Sequence, residues 1–139
     1  MELRLQDYRD VQGQFDHIVS IEMLEAVGEA YWDTYFRKLD QLLKPGGRAA
    51  IQTIVIGDDH FERYRRRSDF IQQYIFPGGM LPSPSAFRSE AEKHGLCIVN
   101  EFAFGADYAR TLAEWRDAFK RQLPQVRKLG CSRVAPSTM

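Results

Sequence analysis

Apolar residues in this chain recur with two different periods, and the changes between them predict its elements. Glu2 to Leu5 alternates apolar and polar residues and reads as a short strand, with Gln6-Asp-Tyr-Arg-Asp10 as the loop at its end. Phe15 to Ile21 reads as a second strand. Its Ile18, Val19 and Ile21 are too apolar for one wet face, which is the pattern of a parallel strand covered on both sides. After the break at Gly28, residues Trp32, Tyr35, Phe36, Leu39, Leu42 and Leu43 fall at helical spacing and make one stripe. Pro45-Gly46-Gly47 ends that helix, because proline cannot continue it and glycine accepts positive φ at its end. Arg48 to Ile56 predicts a third strand.

The middle of the chain is less regular. Phe61 to Ser68 is dense in charge and aromatics, and Phe70 to Phe76 continues as a short helix. A turn-rich apolar loop, Phe76 to Pro84, leads to a helix that Ser85 can cap, with Phe87 and Ala91 on one face and Gly95 at its end. Leu96 to Phe104 predicts a fourth strand, with Cys97 buried in it. The last helix opens on a capping box, Thr111 with Glu114, and carries Leu112, Trp115 and Phe119 inward as far as Pro124. Strands separated by helix-length segments imply crossover connections and a mostly parallel sheet, so the fold class is α/β. In such sheets ligands bind beyond the carboxyl ends of the strands. That singles out Asp7 and Tyr8, Ser20 to Glu25, and Gln52 to Ile54.

Composition narrows the picture. With 139 residues, 44% of them hydrophobic and 27% charged, the chain reads as one globular domain without a disordered tract. Its 19 basic and 19 acidic residues balance, which gives no reason to expect nucleic acid as a partner. The carboxyl-terminal part is mildly basic, with seven Lys or Arg from Arg110 onward against Glu114 and Asp117. A solvated helix face and a surface for anionic phospholipid heads both account for it. Cys97 and Cys131 match no metal or redox spacing and read as reduced thiols. The sequence contains neither a run of the roughly 20 apolar residues that spans a membrane nor a secretory signal, so a cytoplasmic location is expected.

Residue types alone leave the chemistry open. Glu22 and Glu25 stand three apart where the second strand ends and would share one face of a helical turn. Such a pair can bind a cation, act as a base or cap backbone donors. Asp7 can accept from an adenine amino group and Tyr8 can stack on the base, or both can belong to a plain surface turn. His17, His60 and His94 have no mutual spacing of a ligand set, and no metal site is expected. No nucleophile elbow or phosphate-cradling glycine pattern is present in the sequence.

Five segments in order carry a more specific signal: Leu5-Gln-Asp-Tyr-Arg-Asp10, Phe15-Asp-His-Ile-Val-Ser-Ile-Glu-Met-Leu-Glu25, Leu43-Lys-Pro-Gly-Gly47, Tyr74-Ile-Phe-Pro-Gly-Gly-Met-Leu-Pro-Ser83 and Phe104-Gly-Ala-Asp-Tyr-Ala-Arg-Thr-Leu112. Together they resemble the cyclopropane-fatty-acyl-phospholipid synthase family over residues 2 to about 130. The resemblance implies a Rossmann-like class I methyltransferase sheet and S-adenosylmethionine as cofactor. It also implies transfer of a methylene to the cis double bond of a phospholipid acyl chain, with bicarbonate taking the proton lost as the ring closes. Glu25, Ile54 through its backbone and Tyr108 match the positions that hold bicarbonate, and Asp7 and Tyr8 match the adenine end of the cofactor site.

The match departs from the family at three places. Gln52 stands where well-known members have a histidine that helps hold the bicarbonate, and Ala26 follows Glu25 where another histidine is common. A neutral amide donates a hydrogen bond but carries no positive charge. The family's first two strands and glycine-rich cofactor loop match nothing in residues 1–139. The resemblance therefore implies the carboxyl-side part of a single methyltransferase domain with an incomplete sheet, inactive by itself. The partners implied are phospholipid acyl chains at a membrane surface, met by a cytoplasmic protein peripheral to the membrane; no oligomeric state is implied. Gln52 and Ala26 leave room for a second reading, methylation of another lipid or small molecule without ring closure; a third is a noncatalytic remnant acting through the apolar surfaces that the absent strands would leave exposed.

Overall fold

The computed structural model of the chain describes residues 2–68 and 70–130, and these fall into two compact units divided between Val99 and Asn100. The first unit is built on two strands, β1 (Phe15–Ile21) and β2 (Leu43–Gln52), joined by α1 (Leu24–Val27) and α2 (Trp32–Leu42). The strands pair in parallel. A parallel neighbour requires the chain to return to the starting end of the sheet, and the helices make that crossover. The α/β class and the parallel pairing predicted from the sequence are both present.

His17 to Ile21 face Arg48 to Gln52 in unbroken register, but Phe15 faces Leu43. Residues 44–47 therefore bulge out opposite Asp16. Lys44 Nζ lies 2.8 Å from Asp16 Oδ2 and ties the bulge down. A Cβ on Gly47 would sit 2.9 Å from the Lys44 carbonyl oxygen and 3.1 Å from that of Asp16, so the Pro-Gly-Gly turn closes only because no side chain is there.

The predicted stripe of α2 forms the core: Trp32, Tyr35, Phe36, Leu39 and Leu42 are buried. Phe36 meets Tyr35 and Phe87 edge to face, at ring-centroid distances of 5.2 Å and 5.1 Å, the arrangement favoured by the ring quadrupoles. Phe87 and Ala91 come from α4 (Pro84–Lys93). The cap of α4 is Ser83, whose Oγ accepts from the Ala86 N–H at 3.2 Å, and not the predicted Ser85. Pro84 takes the opening position, where its missing N–H is no loss. Ser85 instead bonds Asp58 at the start of α3 (Asp58–Arg65) through both its N–H and its hydroxyl. Residues 71–75 form a single π-helical turn, Ile71–Ile75, within the short helix expected there.

Several expectations fail for one reason. Residues 2–5 and 96–104 carry no strand, Leu3 and Leu5 are exposed, and Cys97 is an exposed free thiol. An alternating pattern makes a strand only where a ladder partner satisfies its backbone. β2 likewise ends at Gln52 rather than at residue 56. β1 is not covered on both sides: Ile18 packs on the core, while Val19 and Ile21 are exposed, because within this unit the core lies against one face of the pair.

The second unit holds α5 (Gly105–Lys128). It begins ahead of the predicted capping box, and Thr111 Oγ1 donates to the Asp107 carbonyl oxygen at 3.3 Å as an interior residue. Pro124 lies inside the helix. Leu112, Trp115 and Phe119, expected to point inward, are 48%, 61% and 46% exposed. Among the described residues of its own unit, no second element faces this stripe. Cys131 and the rest of the carboxyl-terminal segment lie outside the described residues. No helix among the described residues is long and apolar enough to cross a membrane.

Phe36 is fully buried between aromatic edges, so Phe36→Ala leaves a cavity that neither α2 nor α4 can close. A loss of about 3–5 kcal/mol is expected. Urea unfolding followed by circular dichroism measures it, and a loss below about 1 kcal/mol would contradict the packing described.

Candidate functional site

The site begins where the β1–β2 ladder runs out. Past the last registered pair, the Glu22 N–H still donates to the Gln52 carbonyl oxygen, at 2.9 Å. Glu22 then turns with φ of 48°, a left-handed conformation that costs a residue with a Cβ roughly 1–2 kcal/mol. The turn releases the chain from the sheet and starts α1. Glu22 and Glu25 therefore do not share a helical face, as the spacing suggested. Each reaches across to the end of β2.

Glu25 sits in the first turn of α1, and its Oε1 accepts the Ile54 N–H in a short hydrogen bond. Its carbonyl oxygen accepts the Met80 N–H at 2.9 Å, so the loop that precedes α4 is fastened to the same residue. A Cβ on Gly79 would approach the Glu25 carbonyl oxygen to 3.2 Å, which is why the loop passes here on glycine. Glu25 Oε2 is buried and has no hydrogen-bond partner. The Gln52 Nε2 donates to Glu22 Oε1 at 3.2 Å. A carboxylate can only accept, so this contact fixes which end of the amide faces Glu22.

A second set of contacts links these strand ends to the amino-terminal loop. Tyr35, buried in the core, donates its hydroxyl to Ser20 Oγ at 2.7 Å and tilts against the Tyr8 ring at 5.9 Å. Burial raises the Tyr35 phenol above its ordinary pKa. The Ser20 bond opposes this, and the charges of Glu25 and Tyr8 add to it, so the hydroxyl stays a donor. Asp7 caps the short 3₁₀ turn Tyr8–Asp10. Its Oδ1 accepts from the Arg9 N–H and Nε, both at 2.9 Å, and its Oδ2 from Arg9 Nη2 at 2.6 Å. Arg9 holds the Asp7 carboxyl at about 2, well below its ordinary value.

Of the residues singled out in the sequence, Glu25, Gln52 and Ile54 are brought together at the strand ends. Asp7 and Tyr8 lie in the loop next to Tyr35. Tyr108 is in the first turns of α5, its N–H donating to the Phe104 carbonyl oxygen at 3.1 Å, and belongs to the second unit. Tyr35 and Ser20 as a coupled pair were not legible in the sequence; the one signal is that both lie on the core-facing side of their elements. Glu22 was visible as a carboxylate, but its pairing with Gln52 was not.

The two groups implied by the resemblance fit differently. Asp7 is ionised and its Oδ2 keeps a free lone pair, and Tyr8 offers a partly exposed aromatic face, so an adenine with its amino group fits there. Bicarbonate needs donors for its charged oxygens. The Ile54 N–H is taken by Glu25, one Gln52 N–H is taken by Glu22, and neither carboxylate has an ion-pair partner among the described residues. An added anion would meet like charge. With only the second Gln52 N–H left to an added anion, against two carboxylates, the residues of this unit fit bicarbonate poorly.

Comparison with known proteins places this geometry. The mycolic acid cyclopropane synthetase family matches residues 1–137. The chain is 44% identical over 135 residues to the tuberculostearic acid methyltransferase UfaA1 of Mycobacterium tuberculosis, covering 96% of this chain and 32% of that protein. It is 40% identical over 122 residues to the cyclopropane-fatty-acyl-phospholipid synthase of Escherichia coli, covering 88% of this chain and 31% of the relative. Its fold superposes, with a TM-score of 0.72 and 26% identity, on the crystal structure of the mycolic acid cyclopropane synthase CmaA1 complexed with SAH and CTAB, over 88% of this chain and 46% of that one. The chain thus spans about a third of the length of these curated relatives.

Two measurements check the site. The Asp7 carboxyl, followed by NMR, should titrate near 2 in the folded chain and return toward 3.8 in Arg9→Ala. Its pKa is depressed on folding, so the stability it contributes is present above 3.8 and is lost as pH falls through about 2. Glu22→Gly should change stability by less than about 0.5 kcal/mol, because relief of the left-handed strain offsets the added freedom of the unfolded glycine. A loss of more than about 1.5 kcal/mol on thermal unfolding would contradict the strain assigned to Glu22.

Proposed function

The chain belongs to the mycolic acid cyclopropane synthetase family, and we propose that it carries part of an S-adenosylmethionine-dependent enzyme that adds a one-carbon unit to a cis double bond in a phospholipid acyl chain. The observation that carries this reading is the Glu25 carboxylate, bonded to the Ile54 N–H through one oxygen and buried without a partner at the other. It stands at the carboxyl ends of parallel strands, where open α/β sheets take their ligands. Asp7 and Tyr8 would hold the adenine of the donor, which when bound supplies an electrophilic methyl group. SAH in the CmaA1 complex supports that choice of donor.

The residues of this chain then have separable tasks. Asp7 accepts from the adenine amino group and Tyr8 stacks on the ring. Tyr35 keeps Tyr8 and the end of β1 in fixed relation through Ser20. Addition of a methyl group to an alkene leaves positive charge on the acyl chain, and fixed carboxylates near that charge stabilise it more than water would. A cytoplasmic enzyme peripheral to the membrane fits a phospholipid acceptor.

A second reading, methylation without ring closure, is favoured by the 44% identity to a methyltransferase named for tuberculostearic acid. The two differ in product, since only the first gives the upfield ring protons of a cyclopropane in NMR spectra of the recovered lipid.

The test replaces the matching segment of the Escherichia coli relative with this chain and measures labelled methyl transfer to vesicles of a cis-monounsaturated phospholipid. Transfer is expected. Glu25→Gln should lower turnover by on the order of 100-fold or more with donor affinity nearly unchanged, because Glu25 is not assigned to the adenosine. A folded, donor-binding chimera that transfers nothing, or full turnover in Glu25→Gln, would refute the reading.

A further inference from the structure

We propose that in this chain the proton released at ring closure is taken by the Glu25 carboxylate itself, at Oε2, and that the Glu22–Gln52 pair closes the site to bicarbonate. The inference rests on the proposed transfer to an acyl double bond and names the base for that reaction. Three observations support it.

The first is the state of the donors an anion would need. At the strand ends the Ile54 N–H goes to Glu25 Oε1, and the Gln52 amide turns its NH₂ toward Glu22. The Ile54 N–H and one of the two Gln52 N–H groups are thereby occupied by carboxylates of the chain. The second is Glu25 Oε2, a buried acceptor that receives no hydrogen bond. Such an atom is unsatisfied until a proton or a donor reaches it. Its partner oxygen is fixed by the Ile54 backbone, so the free oxygen is held in one place.

The third is Glu22. A glutamate at φ 48° is an uncommon choice at a turn that glycine would make without strain. What the glutamate adds is the carboxylate that fixes the Gln52 amide. Glu22 is thus a positioning residue, acting through Gln52, and it adds a negative charge that favours a cationic reacting centre and disfavours a bound anion. The proton step balances without a further reactant. The carbon–hydrogen bond of the transferred carbon breaks, its electron pair forms the second ring bond, and the proton passes to Glu25 Oε2 and later to solvent.

The test uses binding as well as turnover. Line broadening of ¹³C-bicarbonate is measured by NMR with the 139-residue chain and with the double variant Glu22→Gly/Gln52→His. The unmodified chain should cause none. The double variant, which frees the site of one carboxylate and supplies an imidazole, should bind roughly ten- to a hundredfold more tightly than the unmodified chain. In the chimera, removal of dissolved carbon dioxide and bicarbonate should leave product formation unchanged. Broadening with the unmodified chain, absence of any gain in the double variant, or a fall in product without bicarbonate would each overturn the proposal. If the chimera transfers no methyl group at all, the proposed function fails, and the two binding measurements still decide whether the site excludes bicarbonate.

Discussion

The arrangement at the strand ends depends on the register that sets Ile21 opposite Gln52. Because side chains alternate along a strand, a slip by one residue would turn Ile18 and Ile51 away from the core and carry every following group to the wrong face. With the register fixed, the Glu22 N–H completes the ladder against Gln52. The chain can leave the sheet only by an abrupt turn, and the left-handed Glu22 is that turn. One further step places Glu25 within reach of the Ile54 N–H. The bulge at residues 44–47 takes up the mismatch at the other end of the pair, so the registered segment is anchored by the Asp16–Lys44 contact below and by Glu22 above.

Packing transmits this order outward. Tyr35 belongs to the core through its ring and to the site through its hydroxyl, which reaches Ser20 on β1. Its ring also meets Tyr8, so the amino-terminal loop is referenced to the same helix that fills the core. The Glu25 carbonyl oxygen plays the matching part on the other side, since the Met80 N–H docks on it. Two glycines make that docking possible: a Cβ on Gly28 would lie 2.7 Å from the Gly78 carbonyl oxygen, and one on Gly79 would crowd Glu25. A one-turn helix such as α1 has no stability of its own. It persists because its neighbours hold both its backbone and its one charged side chain.

The parts legible in the sequence were those determined by local pattern. β1 was placed at its observed bounds, and the apolar spacing of Trp32 to Leu42 identified the helix that forms the core. The convergence of Glu25, Gln52 and Ile54 followed from the rule that sites lie beyond strand ends. What could not be read depends on partners distant in sequence. Residues 2–5 and 96–104 have the alternation of strands but no ladder to join. Ser85 looks like a cap, yet Pro84 moves the helix start to Ser83 and leaves Ser85 for Asp58. Thr111 and Glu114 have the spacing of a capping box, but α5 begins at Gly105, so the motif lies inside the helix. The Glu22–Gln52 bond spans thirty residues and has no local signature.

Charge balance links the two departures at the strand ends. A reacting centre that becomes cationic needs compensating negative charge nearby, and there are two ways to supply it. Where a histidine stands at the end of the second strand, the site offers donors and can be positive, so an anion must be bound from solution before the charge is matched. Where an amide stands there and is held by a second carboxylate, the negative charge is built into the chain and fewer donors are left for an anion. Gln52 taken alone would be a weakened bicarbonate site, with one donor kept and the charge lost. Gln52 taken with Glu22 is a different solution, because the carboxylate takes one of the two amide N–H groups and contributes the charge that the missing anion would have carried.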